Sequence, residues 1–235
     1  MIVHVALDGI LEGPLGLGLD IVATAARLGR AGLTPNPAPV GALAQRVVSV
    51  DGQGVSSLQK RAVAVDGAFE PEKLGLGDVV VVPGVYAPNA AGVERVLARA
   101  DVGRVMAGLR VAHARGAIVA ASCSGTFVVG AAGLLDGGSA TTTWWLIPAF
   151  TKRFPKVELV ADRMVVESGA VITAGAALAH ADLLLSVVSR LSSPTLGHLA
   201  ARYLVLDERP AQGRYMVLEH LIAVIRWHER CTRSA

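Results

Sequence analysis

The strongest constraint on how this chain folds is Ala117-Ile-Val-Ala-Ala-Ser-Cys123-Ser-Gly-Thr-Phe-Val-Val, an apolar run that halts at a cysteine and resumes in a different pattern. Ile118 and Val119 favour a buried strand, Ser124-Gly125 permits a sharp turn, and Thr126 to Leu135 can wind as an apolar helix. A strand, a tight turn and a helix in that order commit the region to an α/β arrangement and set Cys123 at the turn. Unpaired N–H groups and the positive end of the helix dipole favour thiolate there, so the position predicts an acidic thiol. The same turn, a nucleophile elbow, carries the reactive serine of α/β-hydrolases. An ordinary buried cysteine is the competing reading, because the residue type is so often buried.

The alternation continues along the chain. Short apolar strands at Ile2–Leu7, Arg46–Val50, Asp78–Val82 and Ala117–Ser122 are separated by helical patterns at Leu17–Leu28 and Val93–Ala114. Further strands are expected at 139–143, 157–160, 163–166 and 171–173, with helices ending before Pro155, over 175–191 and over 195–206. This pattern predicts a central, mostly parallel sheet with helices on both faces. Val79 to Val82, four valines closed by Pro83-Gly84, reads as a central strand. Ligands in such folds gather at the carboxyl ends of strands, which brings Gly84 and Val85 beside Cys123. The expected division is an α/β domain over 1–191 and a helical extension and linker over 192–235, where charge rises after Asp207.

Composition excludes several classes. Hydrophobic residues make up 52% of the chain, yet no run approaches the roughly 18 to 20 apolar residues of a membrane span. Met1 to Leu7 lacks the basic, apolar and cleavage regions of a secretory signal. Two cysteines, Cys123 and Cys231, make a disulfide framework improbable and the cytoplasm the expected compartment. A net charge of +3 without any basic block reads as a solvated surface, not a nucleic-acid face. No spacing of His, Cys and acidic residues suits a metal, and neither a metal nor another cofactor is expected.

With the cysteine turn, the strand before Pro83-Gly84, and Gly133-Leu-Leu-Asp-Gly-Gly-Ser-Ala-Thr-Thr-Thr-Trp in place, residues 2 to 190 resemble the ThiJ/PfpI family of the class I glutamine amidotransferase-like superfamily. The resemblance implies a flavodoxin-like three-layer sandwich. Asp8-Gly-Ile through Leu19-Asp20-Ile-Val, Thr173 through Asp182-Leu, and Ala201 through Tyr215, with its Asp207-Glu-Arg-Pro-Ala-Gln-Gly-Arg core, look like the sensor domain that precedes the DNA-binding half of AraC-type transcriptional regulators. In those regulators a Trp-Glu-Arg-like linker and two helix-turn-helix units follow. This chain reaches Trp227-His-Glu-Arg230 and ends at Ala235, so DNA contact is expected only through a part outside it.

Active members of the family join three groups: the elbow cysteine, an acidic residue after the first strand, and often a histidine. The acidic position falls here on Pro14, with Glu12 two residues away as a weak substitute, and the histidine position falls on Thr143. Proline carries no proton and threonine has no useful basicity near neutral pH. Val85 stands where a second glycine is frequent, crowding the loop that would help the Ser124 N–H form an oxyanion hole. His180, on a helix with Asp182, is the best remaining histidine; His4, His113, His198, His220 and His228 read as surface or core. Trp144 and Trp145 either cover the sheet or wall a pocket over Cys123.

The expected function is a ligand-sensing, dimerising domain of a transcriptional regulator, without a complete catalytic set. A small-molecule effector would bind among Gly84, Val85, Cys123, Ser124, Thr143 and Trp144, and the partner would be a second copy of the chain. Two alternatives stay open: a cysteine-dependent hydrolase, hydratase or glyoxalase-like enzyme using Cys123 and Glu12, and a redox sensor in which Cys123 is oxidised.

Overall fold

The computed structural model describes residues 1–33 and 42–217. Its first half runs β1 (Ile2–Val5), α1 (Glu12–Arg30), β2 (Gln45–Val48), the hairpin β3 (Val55–Ser56) and β4 (Ala62–Val63), β5 (Val79–Val82), α2 (Ala90–Leu97) and α3 (Ala100–Ala114). The second half runs β6 (Ile118–Ser122), α4 (Gly125–Ala131), β7 (Ser139–Ala140), α5 (Ile147–Arg153), β8 (Glu158–Leu159), β9 (Val165–Ser168), β10 (Val171–Ala174), α6 (His180–Leu191) and α7 (Pro194–Tyr203).

Six strands form one sheet in the order β2-β1-β5-β6-β10-β9. The first five are parallel and β9 closes the edge antiparallel to β10. The valines of β5 explain its central place: Val80 pairs with Val3 on one side and Val119 on the other, and all four side chains are buried. A strand covered on both faces has no solvent side, so its sequence is continuously apolar, and each fully buried valine contributes about 1.5 to 3 kcal/mol. Val80, Val82, Val119 and Ala121 pack with Val93, Leu109, Phe127 and Phe150 from α2 to α5. Val79, Val81, Ala120 and Ile172 face the opposite way, toward Ile21, Leu184 and Leu196 from α1, α6 and α7. The fold is therefore the flavodoxin-like three-layer α/β sandwich.

Several element limits differ from expectation for local reasons. The helix foreseen over Val93–Ala114 is two helices, because Arg99 leaves helical geometry (φ −71°, ψ 141°). Its guanidinium donates to the Asp8 carbonyl at 2.7 Å and bonds Asp101, a long-range contact that outweighs continuous helix. The helix after Cys123 stops at Ala131, where Gly133 turns the chain with φ +78°. The strand expected through Thr143 ends at Ala140, since Thr141 and Thr142 hydrogen-bond other parts of the molecule instead of a ladder. The strand expected at 163–166 lies at Val165–Ser168. The linker sequence from Trp227 to Arg230 lies outside the described residues. Among the described residues, no helix is long and apolar enough to cross a membrane.

Candidate functional site

The carboxyl ends of β1, β5, β6 and β10 meet at one edge of the sheet, and backbone bonds lash their loops together. Leu11 N–H donates to Gly84 O at 3.4 Å, Tyr86 N–H to Gly9 O at 3.0 Å, and Cys123 N–H to Gly175 O at 2.7 Å. Cys123 sits between these loops in the left-handed region, with φ 55°. Few residues other than glycine or asparagine adopt that conformation, and strain of this kind is held in place by surrounding structure. Two glycines supply the room. A Cβ on Gly84 would lie 2.9 Å from Cys123 Cβ, and one on Gly125 would lie 2.4 Å from the Val82 carbonyl oxygen, so the turn packs directly on the end of β5.

The thiol environment is a correction to the expected acidic cysteine. Cys123 is 4% exposed, and burial pushes its thiol up, against the smaller downward pull of the Ser124 N–H and the Thr143 and Ser124 hydroxyls. The helix that should supply the dipole, α4, is only seven residues long. Desolvation disfavours the charged form, and here it outweighs a short helix and three weak donors.

Among the described residues, no carboxylate or imidazole hydrogen-bonds the thiol. Glu12 opens α1, makes no hydrogen bond to Cys123, and has its Oε2 3.6 Å from Arg61 Nε while Oε1 is buried without a partner. Pro14 is buried in the first turn of α1, where proline is tolerated because the N–H it lacks would be unpaired. Thr143 is fully buried, and its hydroxyl lies near enough to favour thiolate without making a hydrogen bond of good geometry. His180 is held by Ser122, with Nδ1 2.9 Å from Ser122 Oγ. Ser122 alternates with Cys123 and lies on the α1 and α6 side of the sheet. Burial, with a smaller contribution from the charge of nearby His4, lowers the His180 pKa to about 3. Asp182 is engaged by Arg209 at 2.5 Å, its carboxyl raised by burial and pulled back by that guanidinium. Among the described residues, no cluster of three or more His, Cys, Asp or Glu side chains could hold a metal ion.

Beside the thiol is a cavity of about 400 Å³ lined by Leu11, Val85, Tyr86, Ala87, Pro88, Cys123, Trp144, Trp145, Ala177 and Val217. Of the residues expected to form a pocket, Val85, Cys123 and Trp144 reach it. Gly84, Ser124 and Thr143 stand behind its wall: Gly84 packs on Cys123, and Ser124 Oγ donates to Val85 O at 2.5 Å, so that hydroxyl is already committed. The two tryptophans meet edge to face, centroids 5.3 Å apart; both wall the cavity, and Trp145 also packs on the core.

Gln212 is the residue that sequence reasoning missed. It is 1% exposed, and its side-chain amide nitrogen shares its two N–H groups among Thr141 Oγ1, Thr142 O and Ala161 O, at 3.0, 3.1 and 2.8 Å. The strap that carries it, residues 207–215, runs along 162–164, with Met164 N–H donating to Pro210 O and Gln212 N–H to Asp162 O. The sequence carried two signals for it: it lies in the 201–215 segment that resembles the sensor domain, and it is an uncharged polar residue within a charged stretch.

Comparison with known proteins agrees with this geometry. The DJ-1/PfpI family profile matches residues 19–190. The HTH-type transcriptional regulator CdhR of Pseudomonas aeruginosa is 31% identical over 167 residues, covering 71% of this chain and 46% of the regulator. The chain thus spans about half the length of that curated relative. Among solved structures, an AraC family transcriptional regulator from Pseudomonas putida aligns with TM-score 0.68 and 18% identity over 86% of this chain and 98% of that one. Drosophila melanogaster DJ-1beta aligns with TM-score 0.67 and 18% identity over 88% and 98%, and a ThiJ/PfpI family protein from Pseudomonas syringae with TM-score 0.66 and 23% identity over 89% and 76%. At these identities the solved structures speak for the fold alone. The matched profile covers most of the chain and includes the cysteine turn, the central valine strand and α6: the chain belongs to the DJ-1/PfpI family.

Proposed function

We propose that this chain is the effector-binding domain of a transcriptional regulator, with the cavity beside Cys123 as its effector site. The observation that carries this reading is the lining. Among the described residues it contains no carboxylate, lysine, arginine or histidine side chain, so it suits a small, neutral and largely apolar molecule. The regulator relative of about twice the length supports a DNA-binding half outside the α/β domain, and the reading includes a homodimer of the chain, the commonest closed assembly of soluble proteins. Binding in the cavity would change the population of one arrangement of the loops and strap, and so the affinity for DNA. The enzyme and redox alternatives both need a ready thiolate at Cys123, and its burial works against each.

The test is a thermal-shift screen of small neutral metabolites on the intact chain, repeated on Ala177→Trp. Ala177 is half-buried at the cavity wall, away from the strained turn, so the substitution fills the cavity while sparing the fold. A true effector at about 100 times its Kd raises Tm by roughly 5 to 10 °C, and the rise disappears in Ala177→Trp. A ligand that shifts both proteins equally binds elsewhere and sinks the assignment.

A further inference from the structure

Both peptide groups of Cys123 are fixed by residues that Gln212 touches. On the carbonyl side, Thr142 Oγ1 donates to Cys123 O at 2.9 Å while the Thr142 carbonyl accepts from Gln212 Nε2. On the amide side, Cys123 N–H donates to Gly175 O at 2.7 Å, and Gln212 Oε1 lies so close to Gly175 that a Cβ there would be 2.4 Å from it. We infer that Gln212 is a positioning residue for the Cys123 turn and the latch through which that turn and the 207–215 strap hold each other. Gln212 is the one buried residue of the strap, and it fills the recess made by Thr141, Thr142, Gly175 and Ala161.

The latch is deep: the Gln212 side-chain oxygen is fully buried against Gly175. Backbone bonds to Asp162 and Met164 run beside it, and at the outer side of the strap Arg209 reaches Asp182 and the Leu178 carbonyl. Five residues beyond Gln212, Val217 joins the wall of the cavity that Cys123 also lines. Given the effector-site reading, on which this consequence rests, a molecule seated between Cys123 and Val217 presses on the two ends of one connected path and changes the hold on the strap.

The test needs no effector, so its failure is distinct from failure to find one. In the full chain carrying Cys231→Ser, Cys123 is alkylated with iodoacetamide at pH 8 and backbone hydrogen exchange is followed by mass spectrometry. Gln212→Ala should alkylate at least fivefold faster than the parent, with faster exchange over both 139–143 and 207–213. Thr142→Val, which removes the donor to Cys123 O and keeps the carbonyl that Gln212 uses, should also alkylate at least fivefold faster while the strap exchanges as in the parent. Arg209→Ala, which frees only the outer attachment, should stay below fivefold. An acceleration below fivefold in folded Gln212→Ala overturns the proposal, as does equal acceleration in Arg209→Ala. Should Gln212→Ala not fold, an acceleration below fivefold in Thr142→Val overturns it equally.

Discussion

The two faces of the central sheet are built from the same kinds of strand yet treat polar groups differently. On the face covered by α2 to α5, aliphatic side chains meet a cluster of three phenylalanines, Phe127 and Phe150 with ring centroids 5.1 Å apart and Phe154 tilted against both. On the face covered by α1, α6 and α7, two fully buried histidines sit among the aliphatics, His4 against Gln45 and His180 against Ser122. The described chain keeps its buried histidines on the side where they brace helices, and leaves the cysteine beside an apolar cavity. The presence of catalytic residue types in one domain therefore says little until the face on which each lies is known.

Three experiments sharpen or break that contrast. The largest effect belongs to the histidine face. Burial lowers His4 to about 4 and His180 to about 3, from an ordinary value of 6.5. Their folded pKa values lie below the unfolded one, so the unfolded chain binds more protons between the two, and stability is present above pH 6.5 and lost as pH falls toward the folded values. Urea denaturation at pH 7 and pH 4.5 should show a loss of roughly 2 to 3 kcal/mol for each histidine. A stability unchanged across that interval would mean that neither is held neutral.

Next comes the cysteine face. Gly125→Ala sets a Cβ 2.4 Å from the backbone oxygen of Val82, and the strand end cannot yield as a flexible side chain would. A destabilisation of about 2 to 3 kcal/mol is expected from such overpacking; a variant as stable as the parent would show that the turn has slack. The smallest effect is Ser122→Ala. It removes the one hydrogen-bond partner that the His180 imidazole has among the described residues, and should cost about 1 to 2 kcal/mol. Combining it with low pH should give less than the sum of the two losses, since both act on one imidazole.

The parts of the fold legible in the sequence were those decided locally or by simple burial. Val79 to Val82 could only be a strand covered on both sides, and the break from Ser122 to Gly125 could only be a tight strand-to-helix turn. The gap between α2 and α3 was not legible, because it depends on Arg99 reaching Asp8 across 91 residues of sequence. The thiol's chemistry was misread for a related reason: the turn is visible in the sequence, but the degree of burial that governs its proton is a property of Gly84, Trp144 and the other loops assembled around it. Gln212 lay in a stretch whose charge reads as solvent-facing, and only the recess made by Thr141, Thr142 and Gly175 shows why that glutamine is inside.

The cavity beside Cys123 draws its wall from Leu11 near one end of the described chain and Val217 at the other. A domain folds as a unit, so this cavity is complete only when two segments from opposite ends of the described chain have both been placed, and its shape registers the folding of the whole domain rather than of any one loop.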